Sequence, residues 1–144
     1  MTTHAPASRG FTLLELLVVI SIMAFAIAGV SVALRDNGRT ALERDAARLA
    51  ALLDAGRAKS RASGAAVRWV VTEQGFRFDG VPNASLPSQW LDPGVVVRGN
   101  AVLVLGPEPL IGPQQVVLTH RERPELALRV FTDGLRPFAV ESLP

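Results

Sequence analysis

The sequence has no cysteine and only two histidines, so neither a disulfide framework nor a thiolate metal site is open to it. A domain lying outside the cytoplasm then holds together by packing alone. Lysine is nearly missing too, since all but one of the 15 basic residues are arginine. Arginine keeps its charge to very high pH, which explains a sequence pI near 10.4 beside a formal net charge of only +2. The pI therefore does not signal a strongly basic surface. Catalytic signatures are also lacking. His4 stands near the start and His120 in a polar turn, and no ligand cluster, nucleophile elbow, phosphate loop or metal spacing accompanies either. No enzymatic activity, cofactor or metal site is expected.

What is present is one long apolar run. From Phe11 to Leu34 the chain reads FTLLELLVVISIMAFAIAGVSVAL. As a helix rising about 1.5 Å per residue it spans roughly 36 Å, enough to cross a hydrocarbon core of about 30 Å. Its single ionisable residue is Glu15. A carboxylate in mid-membrane costs about 2.5–3.5 kcal/mol on insertion scales, so it has a partner or a task unless it sits near the interface and snorkels or takes up a proton. A chain of 144 residues, part of it taken up by this run, allows one modest globular domain.

The leader MTTHAPASRG ends in Arg9-Gly10 and passes directly into Phe11-Thr12-Leu13-Leu14-Glu15. Gly10 through Glu15, followed by the unbroken apolar helix, resembles the cleavage and methylation signal of type IV prepilins and type II secretion pseudopilins. The resemblance implies cleavage between Gly10 and Phe11 by a membrane prepilin peptidase on the cytoplasmic side, and N-methylation of the new Phe11 amine. The protein is then a substrate and a structural subunit. A residue without a Cβ at the cut lets extended backbone lie close to the peptidase carboxylates. The resemblance also gives Glu15 its partner, the N-terminal amine of a neighbouring subunit, so that two charges costly in lipid neutralise each other during assembly. Two other readings of the segment were weighed. A secretory signal with Ala24, Ala26 and Ala28 as its cleavage site is opposed by the carboxylate inside the apolar run. A plain uncleaved anchor is not excluded by charge bias, because Arg9 precedes the run while Arg35 and Arg39 follow it.

Beyond Leu34 the polar segment RDNGRT contains Asn37-Gly38, which predicts a break or kink. A helical pattern then resumes, with Leu42, Ala46, Leu49 and Leu53 forming an apolar stripe. Glu43, Arg44, Asp45, Arg48, Asp54 and Arg57 fall mostly elsewhere on the wheel, and Arg44 and Arg48, interleaved with Glu43 and Asp45, read as a solvated face in preference to a basic patch. Gly64 suits the C-cap. The period then changes to alternation. AVRWVVT and GFRFD, separated by Glu73-Gln74-Gly75, predict a β-hairpin. The Pro-rich stretch GVPNASLPSQWLDPG is a loop carrying Trp90 as a buried anchor. VVVR, AVLVL, VVLT, LALRVF and RPFAV predict further strands, the last two joined at Thr132-Asp133-Gly134, with Pro137 near a strand end. The fold class is α+β, a pilin-like long helix packed on an antiparallel sheet. The expected organisation is a leader at 1–10, a transmembrane and assembly helix at 11–34, an amphipathic stalk at 35–63 and a β-rich periplasmic domain at 64–144.

Leu49 to Arg57, Gly64-Ala65-Ala66-Val67, Gly75-Phe76-Arg77-Phe78, and Phe131 to Gly134 with Pro137-Phe138 resemble the H-type minor pseudopilins (GspH) and their FimT relatives. That likeness implies a minor subunit helping to initiate or cap a secretion pseudopilus. Its partners would be other pseudopilins, the assembly platform, the peptidase and the inner membrane. A minor type IV pilin in pilus assembly or DNA uptake stays open beside it. Asp133 and Glu141 are too sparse for the calcium cage that major pseudopilins carry. Glu15 and the short chain depart from the K-type tip subunit. Arg121, Arg123, Arg129 and Arg136 are the candidate DNA contacts. Glu122 and Glu125 dilute their charge and no aromatic strip accompanies them, which weighs against nucleic acid as a partner.

Overall fold

The structure is a computed structural model that describes residues 12–81, 86–99 and 101–143, with the side chains at 31–37 outside that description. The chain divides into two compact units, Met1–Asp36 and Asn37–Pro144. One helix, α1 (Leu13–Ser63), supplies the described part of the first unit and the opening of the second. Seven strands follow: β1 (Arg68–Thr72), β2 (Gly75–Asp79), β3 (Val95–Val97), β4 (Val102–Val104), β5 (Gln114–His120), β6 (Arg123–Thr132) and β7 (Ala139–Leu143). They form two antiparallel sheets with strand orders β2-β1-β4 and β3-β5-β6-β7. The α+β arrangement expected from the sequence is the one observed.

The apolar stripe packs as its spacing predicts, with Leu42, Ala46, Leu49 and Leu53 each at most 1% exposed. Against it lie Val67, Trp69, Phe76, Leu103 and Leu105 around the first sheet, and Val116, Leu118, Leu128 and Val130 from the second. Trp69 and Val71 pair with Phe78 and Phe76 across β1 and β2, which stacks the aromatic residues on the core face. Trp90 closes that cluster edge-on, 4.7 Å from the Phe76 ring centroid, and is half-buried. α1 ends where Gly64 takes a φ of 68°, a left-handed C-cap conformation that glycine adopts without strain.

Three local expectations are corrected. The Asn37-Gly38 pair does not end the helix, because α1 runs through it. A Cβ at Gly38 would stand 2.8 Å from Nη2 of Arg123, so the glycine makes room for that guanidinium instead of making a turn. The β1–β2 connection is a two-residue turn at Glu73-Gln74, and Gly75 already pairs with Thr72. The Asp-Gly signal does join β6 to β7, but through a loop over 133–138, with Pro137 inside it and the strand starting only at Ala139.

The largest departure concerns the helix face read as solvated. Glu43 and Arg44 are exposed, yet Asp45 and Arg57 are buried and each holds a loop. Asp45 accepts the backbone N–H groups of Leu91 (2.9 Å) and Asp92 (3.0 Å), and Arg48 donates to the Gln89 carbonyl (2.7 Å). Asp54 accepts the Phe138 N–H (3.2 Å), and Arg57 donates to the carbonyls of Gly134 (2.6 Å), Pro109 (3.4 Å) and Arg136 (3.4 Å). The repeated Asp-x-x-Arg spacing thus ties loop backbone to α1 at two places. Charge is tolerated there because the hydrogen-bonding groups of turning backbone need partners once they are covered.

Candidate functional site

Leu13–Val30 has a mean hydropathy of 2.6 and none of it is buried within the structure. An apolar surface of that length left uncovered needs lipid or other helices around it. Glu15 lies in the first turn, between Leu13 and Leu14 on one side and Leu16 and Leu17 on the other, all between 53% and 81% exposed. Its backbone N–H is donated to Thr12 Oγ1 at 3.2 Å, and the Leu16 N–H to the Thr12 carbonyl at 3.2 Å. Thr12 is therefore the N-cap and Glu15 the third helical residue, with one of the two bonds of a capping box made, the one from the Glu15 N–H to the Thr12 hydroxyl. A carboxylate there also faces the positive end of the helix dipole, worth about 0.3–1 kcal/mol near a surface.

The other hydroxyl of this span is already satisfied, since Ser21 donates back to the Leu17 carbonyl at 2.8 Å. The Glu15 carboxylate has no hydrogen-bond or ion-pair partner among the described residues. It is the only charged side chain in Leu13–Val30. Chemically, it is an unpaired acceptor in the first turn of an exposed apolar helix. Gly10 and Phe11 lie outside the described residues. The role of Thr12 as helix cap was missed in the sequence reading, although the signal was there: Thr12-Leu13-Leu14-Glu15 is the T-x-x-E spacing of a capping box.

A family model described as the prokaryotic N-terminal methylation motif matches residues 6–31. The chain carries a prepilin-type N-terminal methylation signal. Its exposed apolar helix and this signal together fit a membrane-anchored, pilin-like protein. No curated protein and no solved structure matches the chain. The matched residues include the exposed Leu13–Val30 part of α1 and stop well before β1 begins.

The four arginines considered for DNA are not gathered into one patch. Arg121 and Arg123 stand at the β5–β6 turn, whereas Arg136 lies in the loop at the far end of β6, a ten-residue strand. At about 3.3 Å per residue these ends are roughly 30 Å apart. Arg129 pairs with Glu141 and lies 4.6 Å from the Phe131 ring centroid. Arg136 pairs with Asp133 at 2.8 Å, and Arg123 lies against Gly38. His120 is not in an open turn. It closes β5, is buried, accepts the Glu122 N–H at Nδ1 (3.2 Å) and faces Asp92 with Nε2 (3.5 Å). Among the described residues no cluster of three or more metal-ligating side chains occurs.

Proposed function

We propose that this chain is a minor pseudopilin of the H type, a structural subunit of a type II secretion pseudopilus. Prepilin peptidase cuts it between Gly10 and Phe11, and the new Phe11 amine is N-methylated. The segment 11–34 crosses the inner membrane and afterwards packs in the fibre, 35–63 is the stalk, and 64–144 is the periplasmic domain. Other pseudopilins and the assembly platform are its partners, and it helps to initiate or cap the fibre. The observation that carries this reading is the lone carboxylate of Glu15, in the Thr12-capped first turn of an uncovered apolar helix inside a matched methylation motif. The amine of a neighbouring subunit is the cation that neutralises it, and an ion pair desolvated on both sides sets the register of docking.

The test is the intact mass and N-terminal sequence of the protein from its native membrane. A chain beginning at N-methylated Phe11 supports the reading, while a start at Met1 or after Ala26 overturns it. Glu15→Ala is expected to leave insertion and cleavage intact and to impair incorporation; undiminished crosslinking to neighbouring subunits would remove the role given to Glu15.

A further inference from the structure

The two sheets end in edge strands that are treated differently. The outer edge of β2 is covered by a loop, the Phe76 N–H being donated to the Ser88 carbonyl at 2.9 Å. At the edge of β4 a side chain covers one residue: Gln114 receives the Val104 N–H (2.7 Å) and donates to the Val104 carbonyl (2.8 Å), while the outward groups of Val102 have no partner among the described residues. β3 has no such cover, which among the described residues it shares with the outer edge of β7, but β3 alone of the two borders the groove lined by Val71 and Trp90. Val97 stands opposite Leu118 while the flanking Arg98 N–H goes to the Val117 carbonyl, so Val97 is at a non-hydrogen-bonded position toward β5. Its N–H and C=O, and the carbonyl of Val95, therefore point away from β5. Among the described residues none of these three groups has a hydrogen-bond partner.

These groups open onto a groove of about 550 Å³ whose lining combines Val71, Val95, Val97 and Trp90 with the polar Gln74 and Gln89 and with two charges of opposite sign, Arg121 and Glu73. The Arg121 side chain is exposed and has no acidic partner among the described residues. We propose that this groove seats one extended segment of a different protein chain, added as a strand to β3, with an acidic side chain at the Arg121 end. Three features select that occupant. Unpaired donors and acceptors spaced along a strand edge match extended backbone. The apolar part of the lining, Val71, Val95, Val97 and the Trp90 ring, takes a β-branched side chain on alternate residues. Arg121 supplies the complementary charge.

The test uses the full chain in detergent micelles, with backbone amide NMR and the synthetic pentapeptide acetyl-Glu-Val-Thr-Val-Thr-amide as probe. The expected result is a saturable shift of the Val97 amide and of the Trp90 indole. N-methylating the probe at alternate amides, or introducing Arg121→Glu, is expected to weaken binding about tenfold. Val97→Pro removes the outward N–H, which β5 does not use, at an edge position that accepts proline, and is expected to abolish binding with the β5–β6 amides unmoved. Failure of the probe to shift either signal at millimolar concentration overturns the proposal. So does binding insensitive to N-methylation and to both variants, and so does self-association of the full chain that Val97→Pro abolishes, which would make a second copy the occupant.

Discussion

Asp45 and Asp54 lie on opposite flanks of the apolar stripe of α1, about 180° apart around the helix axis, and each carboxylate accepts backbone N–H groups from a loop. Nine positions at about 100° each bring them there, with the Leu42–Leu53 stripe between. The helix is consequently fastened from both sides by groups that do not belong to either sheet.

Asp45→Ala leaves the Leu91 and Asp92 N–H groups without their acceptor in a covered position, at a cost of about 1–3 kcal/mol. Amide hydrogen exchange of the full chain in micelles is expected to accelerate at Leu91 and Asp92 and to stay unchanged over 133–138. Equal acceleration in both loops would show that the two fastenings are one cooperative unit.

Arg57→Met removes donors from the Gly134 and Pro109 carbonyls and keeps much of the side chain's volume. Loss of charge-assisted bonds of this kind costs about 2 kcal/mol. Denaturant unfolding followed by Trp69 and Trp90 fluorescence is expected to shift to lower denaturant by that amount. The 133–138 amides should lose protection while Leu91 keeps its own.

Leu49→Ala empties a site that is 1% exposed, for about 2–5 kcal/mol, whereas Leu14→Ala alters a residue 73% exposed and should leave unfolding of the β-rich unit unchanged. The same fluorescence titration measures both variants. A matching loss for Leu14→Ala would place that residue in the folded core.

Asp133 accepts the Arg136 backbone N–H (2.8 Å), the Arg136 guanidinium (2.8 Å) and the Leu135 N–H (2.9 Å), and these hold its carboxyl well below the usual carboxylate range. Because the folded value is depressed, the stabilisation is complete above the unfolded value of about 3.9 and is lost as pH falls through the lower, folded one. An NMR pH titration should show the Arg136 amide moving only in that acidic window, and Asp133→Asn should erase the movement. A midpoint at the ordinary aspartate value would mean the loop contacts do not persist in solution.

Much of the fold was legible because it rests on period and turn chemistry. Leu42, Ala46, Leu49 and Leu53 announce a helix face, and the alternation around Trp69 and Phe76 announces a hairpin. Asp45 and Arg57 were misplaced for the same reason that the stripe was found. A wheel sorts residues by polarity, and a carboxylate that serves buried loop backbone looks like one that faces water. Gly38 misled because glycine beside asparagine usually marks a turn, while here its lack of a Cβ admits Arg123, a contact that spacing along the chain does not encode. Glu15 was readable as the one charge in an apolar run, and Thr12 was readable but overlooked. The separation of Arg121, Arg123, Arg129 and Arg136 needed the length of β6 and the loop beyond it.

The two bonds from the Gln114 amide to Val104 have a further consequence. A primary amide presents one donor and one acceptor in the same plane as a peptide group, so it imitates a single link of a neighbouring strand and then stops. Beside it, Val102 and Val104 are an exposed β-branched pair of the kind that recruits like strands into open-ended stacks. Gln114 therefore blocks strand addition at Val104 itself, leaving only the outward groups of Val102 open along β4.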